Sequence, residues 1–592
     1  MKLTTPVAVC IWPEPAPNRP HVGAYPHYLL EVLDHAGLCY RRVEPDALAD
    51  ALPSTGVLVT VGEAEPDKMT HDALSAWVRA GGAWLAIGGT GGAPDLLGVE
   101  PAEPGFNMFG GRGRSVPLGE GYLAPAEARH PVLAPLSRPL HYFNGSALTA
   151  TTGRTLASIL DAHQRRLPHA GLVEHEPGDG CTLVIAPDVA GSIVRIQQGV
   201  AITRDGIGPS DGSAPVCDGV LKSDDGGVLD WSFDRRPLPG VDGCTAFLEP
   251  IADQWRELVL RGILHLAHRR GVAVPMLWYW PDNADAIAHL SHDTDGNHPD
   301  RGRALLDLVN ELGIRSTWCV IEPGYDRSFI DELRQAGHEL AMHYDAVSEG
   351  KRWSQAQFNE QWAFLRALFG VERITTNKNH YLRWEGDTDL FQWCAAAGIE
   401  LDQSKGPSKT GVAGFNFGSC HAWFPLDPAG RPIDVLELAT QTQDLEVFAP
   451  RQLGDALVDA AARHHGVLHV LFHPFHMEKA EVRDALRHVA ATVRQRGLPW
   501  WTAARINRWE RARRRLGFTR FEQSAGRASV RLRAGESLPG ATLLWMLPGP
   551  GADAGQPVQR WGFPGQAVTI DLDTGTDRDI DASWSMPARA AT

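Results

Sequence analysis

Cysteine is scarce and scattered in this 592-residue chain: eight residues, at 10, 39, 181, 217, 244, 319, 394 and 420, with no pair close enough for a Cys-x-x-Cys motif. That spacing excludes zinc-ribbon and dithiol redox sites and reads as reduced thiols. Long apolar runs are also missing. No stretch approaches the ~20 apolar residues of a membrane span. The first apolar run, Val7-Ala-Val-Cys-Ile-Trp12, is a strand candidate without the hydrophobic core and small-residue cleavage site of a secretory signal, so a cytoplasmic location is expected. An excess of positive charge is absent as well: 56 Lys plus Arg against 71 Asp plus Glu leave a net charge of −15, which argues against a nucleic-acid backbone as partner. Internal repeats and low-complexity tracts are lacking. Hydrophobic residues at 43% and charged residues at 21% exclude wholesale disorder, collagen and coiled coil.

What is present is alternation. Residues 7–89 alternate short apolar runs with helical patterns (about His27–Ala36 and His71–Ala80), as a parallel sheet with crossover helices requires. From about 105 to 250 the pattern loosens, and Gln254–Arg269 then reads as an amphipathic helix. A second series begins at Asp285, with strand candidates Ala286–Ser291, Arg315–Val320, Glu339–His343, Arg373–Thr376, Ile399–Asp402, Ile433–Leu438 and Val467–Phe472. Seven strand–helix repeats suit a (β/α) barrel, complete or open. After the helical stretch Trp501–Leu516 come alternating segments such as Ala528–Arg533 and Ala567–Leu572. The expected organisation is therefore an α/β domain over 1–275, a barrel over 276–516 and a small β-sandwich over 517–592.

In such a barrel the residues at the C-terminal strand ends converge on one mouth. Those ends are rich in polar groups: Ser291-His-Asp-Thr-Asp-Gly296, His343-Tyr-Asp345, Asn377-Lys-Asn-His-Tyr-Leu-Arg-Trp384, Asp402-Gln-Ser404 and Phe472-His-Pro-Phe-His476. Two acids two residues apart on a strand share a face. Asp and His from three strand ends suit a divalent metal with an open position for water, a second carboxylate beside it can take the water's proton, and a histidine across the mouth can protonate a leaving group.

At this point a resemblance enters. Residues about 285–510 resemble the NodB-homology polysaccharide deacetylases, carbohydrate esterases built on a distorted (β/α) barrel. The family's Thr-Phe-Asp-Asp-Gly motif is similar to Ser291–Gly296, which implies Asp293 as general base and Asp295 as metal ligand. Its second motif is matched by Gly337-His-Glu-Leu-Ala-Met-His343, implying His343 as a ligand. Its fifth, Leu-x-His, is matched by Leu471-Phe-His473, implying His473 as general acid. The family's next histidine would stand at 347, where this chain has Val. His380, at the neighbouring strand end, is the candidate third ligand, with Asp345 the alternative. The altered Arg-x-Pro-Tyr motif leaves Lys378 or Arg383 to orient Asp293, and Asp402 resembles the Asp of a Tyr-Asp-Ser-Ser segment in divergent members.

The activity this resemblance implies is hydrolysis of an acetyl group from an N- or O-acetylated saccharide or glycoconjugate by a divalent metal, with zinc the expected ion. The alternatives are a non-sugar amidohydrolase, as in the allantoinase-like branch, and an inactive carbohydrate-binding barrel. Ser223-Asp-Asp-Gly-Gly227 mimics the first motif but lacks a preceding strand and reads as an acidic turn; Arg511–Arg515 reads as a solvated face. The N-terminal region resembles the flavodoxin-like fold of the glutamine amidotransferases. It is expected to be non-catalytic, because no cysteine stands between Cys39 and Cys181 to serve as the nucleophile. The Gly88–Gly92 loop reads as a turn rather than a phosphate cradle.

Overall fold

The computed structural model describes residues 2–13, 25–102, 118–551 and 555–585. The chain forms two compact units, one of residues 1–193, 254–283 and 512–592, the other of residues 194–253 and 284–511.

In the first unit the apolar runs form a parallel sheet in the order Arg41–Arg42, Thr5–Ile11, Thr55–Val61, Ala83–Ile87, Cys181–Ile185. The last four strands are buried throughout, as strands covered on both faces must be. The loosely patterned stretch extends this sheet with antiparallel strands Arg166–His175, Arg154–Asp161, Glu120–Pro125 and Leu140–Phe143. The Gly88–Gly92 loop is a turn closed by the protein itself: the Glu63 carboxylate accepts hydrogen bonds from the backbone of Thr90 (2.8 Å) and Gly92 (3.1 Å) and from the Thr90 hydroxyl (2.6 Å). The C-terminal segment makes one antiparallel sheet from Leu516–Ser524, Arg527–Ala534 and Asp577–Ser583, and another from Leu538–Met546, Phe563–Leu572 and Gln556–Arg560. Val274–Leu277 pairs with the second of these, a contact that no local pattern announces. The basic run is less solvated than its charge implies. Arg513 is buried and donates to the His35 carbonyl at 2.5 Å, and Arg514 is paired with Glu31 at 2.6 Å.

Glu174 is the electrostatic centre of this unit. Its buried carboxylate meets His265 Nε2 at 2.8 Å, Arg154 Nη2 at 2.5 Å, Arg269 Nη1 at 3.3 Å and His130 Nε2 at 3.6 Å. Burial pushes its pKa up, but these donors outweigh it and hold it far below the usual range. Two guanidinium groups on one carboxylate make this His–Glu–His cluster hostile to a metal cation. Because the folded pKa is depressed, the stabilisation is present above the unfolded value of about 4.3 and is lost as pH falls. Glu174→Gln is accordingly expected to cost about 3 kcal/mol at pH 7. In urea unfolding the gap between variant and wild type should close as pH falls below about 4; a gap independent of pH would refute the assignment.

The second unit is built on a curled, all-parallel sheet of eight strands: β1 (Ile287–Asp293), β2 (Thr317–Val320), β3 (Glu339–Tyr344), β4 (Thr376–Asn379), β5 (Leu401–Asp402), β6 (Leu436–Glu437), β7 (Thr442–Gln443) and β8 (Val467–Leu471). Their order is β6-β5-β4-β3-β2-β1-β8-β7, so the barrel is open between β6 and β7. Helices such as Pro299–Glu311, Arg327–Gln335 and Gln355–Phe369 separate the strands, and Leu290, Leu305, Trp318, Ile330 and Phe358 belong to one buried cluster.

Two departures from the sequence reading share a cause. β7 has two residues, too few for any periodicity. β4 lies three residues later than expected because it is Thr-Asn-Lys-Asn, a buried polar strand no hydrophobic pattern can reveal. Its partners are inside the barrel. Lys378 Nζ donates to Ser291 Oγ (2.6 Å), Ser291 Oγ meets His469 Nε2 (2.9 Å), and Asn377 Nδ2 donates to Asp402 (2.7 Å). Ser223–Gly226 is a single helical turn, as expected of an acidic turn. Asp224 accepts the backbone of Ser408 and Lys409 at 2.8 and 2.7 Å, and Asp225 holds Lys409 Nζ at 2.7 Å.

Candidate metal centre and active site

Strand β1 delivers the acidic pair. Its odd-numbered residues point into the barrel, so Ser291 and Asp293 face the interior, while His292 on the opposite face is locked by the Phe472 carbonyl (2.8 Å) and Ser316 Oγ (3.0 Å) as packing. Asp293 is 3% exposed, and its Oδ1 has no hydrogen-bond partner. The buried Lys378 ammonium lies 3.8 Å from that oxygen. Of the two candidates for orienting Asp293, Lys378 is the one in place; Arg383 is paired with Glu385.

Asp295 stands just beyond the strand, with His343 Nε2 at 3.2 Å and His380 Nε2 at 3.6 Å from Oδ1. One ligand atom from each of the three lies within 4.8 Å of the others. The second nitrogen of each ring is committed elsewhere: His343 Nδ1 to the Lys378 carbonyl at 2.9 Å and His380 Nδ1 to Asp345 Oδ1 at 3.0 Å. Both Nε2 atoms therefore face Asp295, as imidazoles oriented for a metal do. One carboxylate and two imidazoles suit zinc-type coordination with an open position, so the donor set fits a divalent ion.

His380 reaches the cluster because the chain turns sharply after β4. Tyr381 and Leu382 adopt left-handed backbone with φ of 58° and 48°, a conformation that costs about 1–3 kcal/mol per residue and persists where the surroundings enforce it. Asp345, the alternative ligand, is already committed: its Oδ1 accepts from Val347 N (2.9 Å), Ser348 N (3.1 Å) and His380 Nδ1 (3.0 Å). The segment that carries Val347 thus folds around the carboxylate that orients His380.

Electrostatics distinguishes these groups. Burial favours a neutral Asp295, yet hydrogen bonds from His343 and His380 and the charge of His473 hold its carboxyl well below the usual range. Burial likewise disfavours charge on His380, but Asp295 and Asp345 raise it to about 9, so without metal Nε2 carries a proton that an ion would displace. On the far side of Asp295, His473 Nε2 is 3.8 Å from Oδ2. Burial pulls this imidazole toward the neutral form, and the Asp444 carboxylate on Nδ1, helped by Asp295 and Asp293, outweighs it and lifts the pKa to about 10.

Asp444 was missed in the sequence. It follows the two-residue β7 and stands 29 positions before His473, and nothing in its neighbourhood marks it. Asp402 lies outside this cluster. It is fully buried, accepts from Asn377 and Ser404, and braces the ends of β4 and β5. His338 is structural, contacting Ser316.

No family model matches the chain, and no curated protein does. Among solved structures, a Mycobacterium smegmatis protein assigned as a polysaccharide deacetylase aligns at 16% identity and a TM-score of 0.31, covering 39% of this chain and 92% of its own. A Pseudomonas aeruginosa PAO1 protein with the same assignment aligns at 15% and 0.30, over 39% and 93%. A peptidoglycan N-acetylglucosamine deacetylase aligns at 12% and 0.27, over 38% and 89%. A β-galactosidase from Bacillus circulans sp. alkalophilus aligns at 12% and 0.22, over 31% of this chain and 28% of its own. Among the described residues no helix is long and apolar enough to cross a membrane.

Proposed function

We propose that this protein is a metal-dependent hydrolase that removes an acetyl group from an N- or O-acetylated saccharide or glycoconjugate. The observation that carries the reading is the convergence of Asp295, His343 and His380 between a buried carboxylate–ammonium pair, Asp293 with Lys378, and the Asp444-held imidazole of His473. A divalent ion at the three ligands, for which zinc is the natural choice, supplies acidification of a water and polarisation of a carbonyl. Asp293 takes the proton of the attacking water. Lys378 sets its ammonium 3.8 Å from that carboxylate and donates to Ser291, which fixes the ammonium in place. His473, protonated at Nε2, gives its proton to the departing amine or alkoxide, and Asp444 steadies the ring through the transfer. The products are acetate and the free amino or hydroxyl sugar.

The test is acetate release from a panel of N- and O-acetylated sugars by the purified protein, alongside its metal content, before and after chelation. About one ion per chain, with activity lost on chelation and restored by zinc, is expected. A folded protein that takes up no divalent ion and releases no acetate would overturn the reading.

A further inference from the structure

A second set of side chains in the barrel unit is suited to a metal, and the chemistry at the mouth does not use it. Asp253, Cys420 and His421 each offer one donor atom, and these atoms lie within 4.8 Å of one another. All three residues are buried, with exposures of 1%, 1% and 4%. Asp253 ends the segment 194–253 of the unit, and 167 positions later Cys420, with His421 after it, stands on the connection between β5 and β6. Their place is the base of the barrel: the Cys420 carbonyl accepts from the backbone of Val467, the first residue of β8, at 2.7 Å. His473 lies beyond the other end of that strand, about 20 Å away along an extended chain. The N-terminal strand ends form the face that serves stability in such barrels.

The donors are held in place. Asp253 Oδ2 accepts from Cys420 N (2.6 Å) and Oδ1 from Ser419 Oγ (2.8 Å), and a carboxylate has lone pairs left after two such bonds. His421 Nε2 donates to the His464 carbonyl at 2.9 Å. A carbonyl only accepts, so the proton sits on Nε2 and the lone pair of the neutral ring is on Nδ1, the anchoring of the second nitrogen that metal-bound imidazoles show. Room for the sulfur comes from Gly466, where a Cβ would stand 2.3 Å from Cys420 Sγ. Charge adds a further reason. Two guanidinium groups already compensate Glu174, whereas here a buried carboxylate meets an ionisable thiol, and a divalent ion balances both once the thiol has given up its proton. Thiolate, imidazole and carboxylate together select zinc over magnesium or calcium, which take oxygen ligands.

We propose that Asp253, Cys420 and His421 form a second zinc site at the base of the barrel, whose role is structural; three protein donors leave one of zinc's four positions to water. The ion ties the connection between β5 and β6 to the segment 194–253 and, through the bonds to His464 and Val467, to the start of β8. It takes no part in the reaction at the mouth, and the site is independent of the hydrolase reading.

The experiment replaces zinc by cobalt during expression, because a cobalt–thiolate bond gives an intense near-ultraviolet charge-transfer band that the Asp–His–His set at the mouth cannot produce. Spectra, metal content and acetate release are read for the wild type, Cys420→Ser, His421→Gln and His380→Ala, with thermal melts as the check on folding. The wild type is expected to show the band. His380→Ala, which empties the mouth, should keep the band and a single bound ion, whereas Cys420→Ser should lose the band and His421→Gln weaken it, with acetate release unchanged in both. In the His380→Ala background added zinc should raise the melting temperature, and Cys420→Ser should abolish that rise. A cobalt-loaded wild type without the band overturns the second site whether or not the variants fold, as does a band that survives in folded Cys420→Ser. The band without acetate release would uphold this site and sink the hydrolase; acetate release without the band would do the reverse.

Discussion

Asp293→Asn is expected to lower acetate release by about 10²–10⁴-fold, the usual contribution of a general base, with the metal content unchanged. The residue sits beside the ligand cluster without belonging to it. Its carboxylate is 3.9 Å from His343 Nε2, against 3.2 Å for Asp295, and its Oδ1 faces Lys378. An Asn there keeps the shape and removes the basic oxygen, so kcat should fall while the substrate still binds. Removing the other half of the pair is a sharper probe of position. Lys378 is fully buried, and Lys378→Met leaves the Asp293 carboxylate without the ammonium that stands 3.8 Å away. Acetate release by that variant should fall with the metal content unchanged, and an unchanged rate would remove Lys378 from the positioning of Asp293. Unchanged activity and metal content in Asp293→Asn would remove this residue from the mechanism.

His380→Ala is expected to strip the metal, and Asp345→Asn to weaken it by about 10–100-fold, the usual cost of losing a carboxylate behind a ligating histidine. Titration with zinc followed by calorimetry separates this from catalysis. The alternative, in which Asp345 is itself the third ligand, makes the opposite prediction for severity: Asp345→Asn would then be at least as damaging as His380→Ala. Geometry argues against it, because the ligand atoms that come within 4.8 Å of one another belong to Asp295, His343 and His380, while Asp345 Oδ1 receives two backbone N–H groups and His380 Nδ1. Asp345→Asn should leave the thermal melt close to wild type, since the amide oxygen still accepts those two backbone bonds.

The acids and histidines of the candidate site are legible as residue types at strand ends because a parallel barrel sends every C-terminal strand end to one mouth. Asp293, Asp295, His343 and His473 follow apolar runs, β1, β3 and β8, that mark their own strands. His380 was harder. Its strand β4 is polar, and the boundary drawn by hydrophobicity fell three residues early, although the residue was still placed at that strand's end. The competing choices, Lys378 against Arg383 and His380 against Asp345, could not be settled by spacing, since each pair lies within a few residues of the same strand end.

The chain by itself determined the alternation of strands and helices, the open (β/α) architecture, the β-rich C-terminal segment and the chemistry available at the mouth. Each of these is written in local periodicity and in which residue follows a strand. Tertiary structure decided what periodicity cannot carry. It brought Asp444 to His473 from a two-residue strand, matched Val274–Leu277 to Leu543–Met546, threaded a polar Lys378–Ser291–His469 relay through the barrel, and set Asp345 behind His380. These are pairings between distant segments. They are fixed by which buried donor must find an acceptor once water is excluded, a condition that exists only after the chain has closed around them.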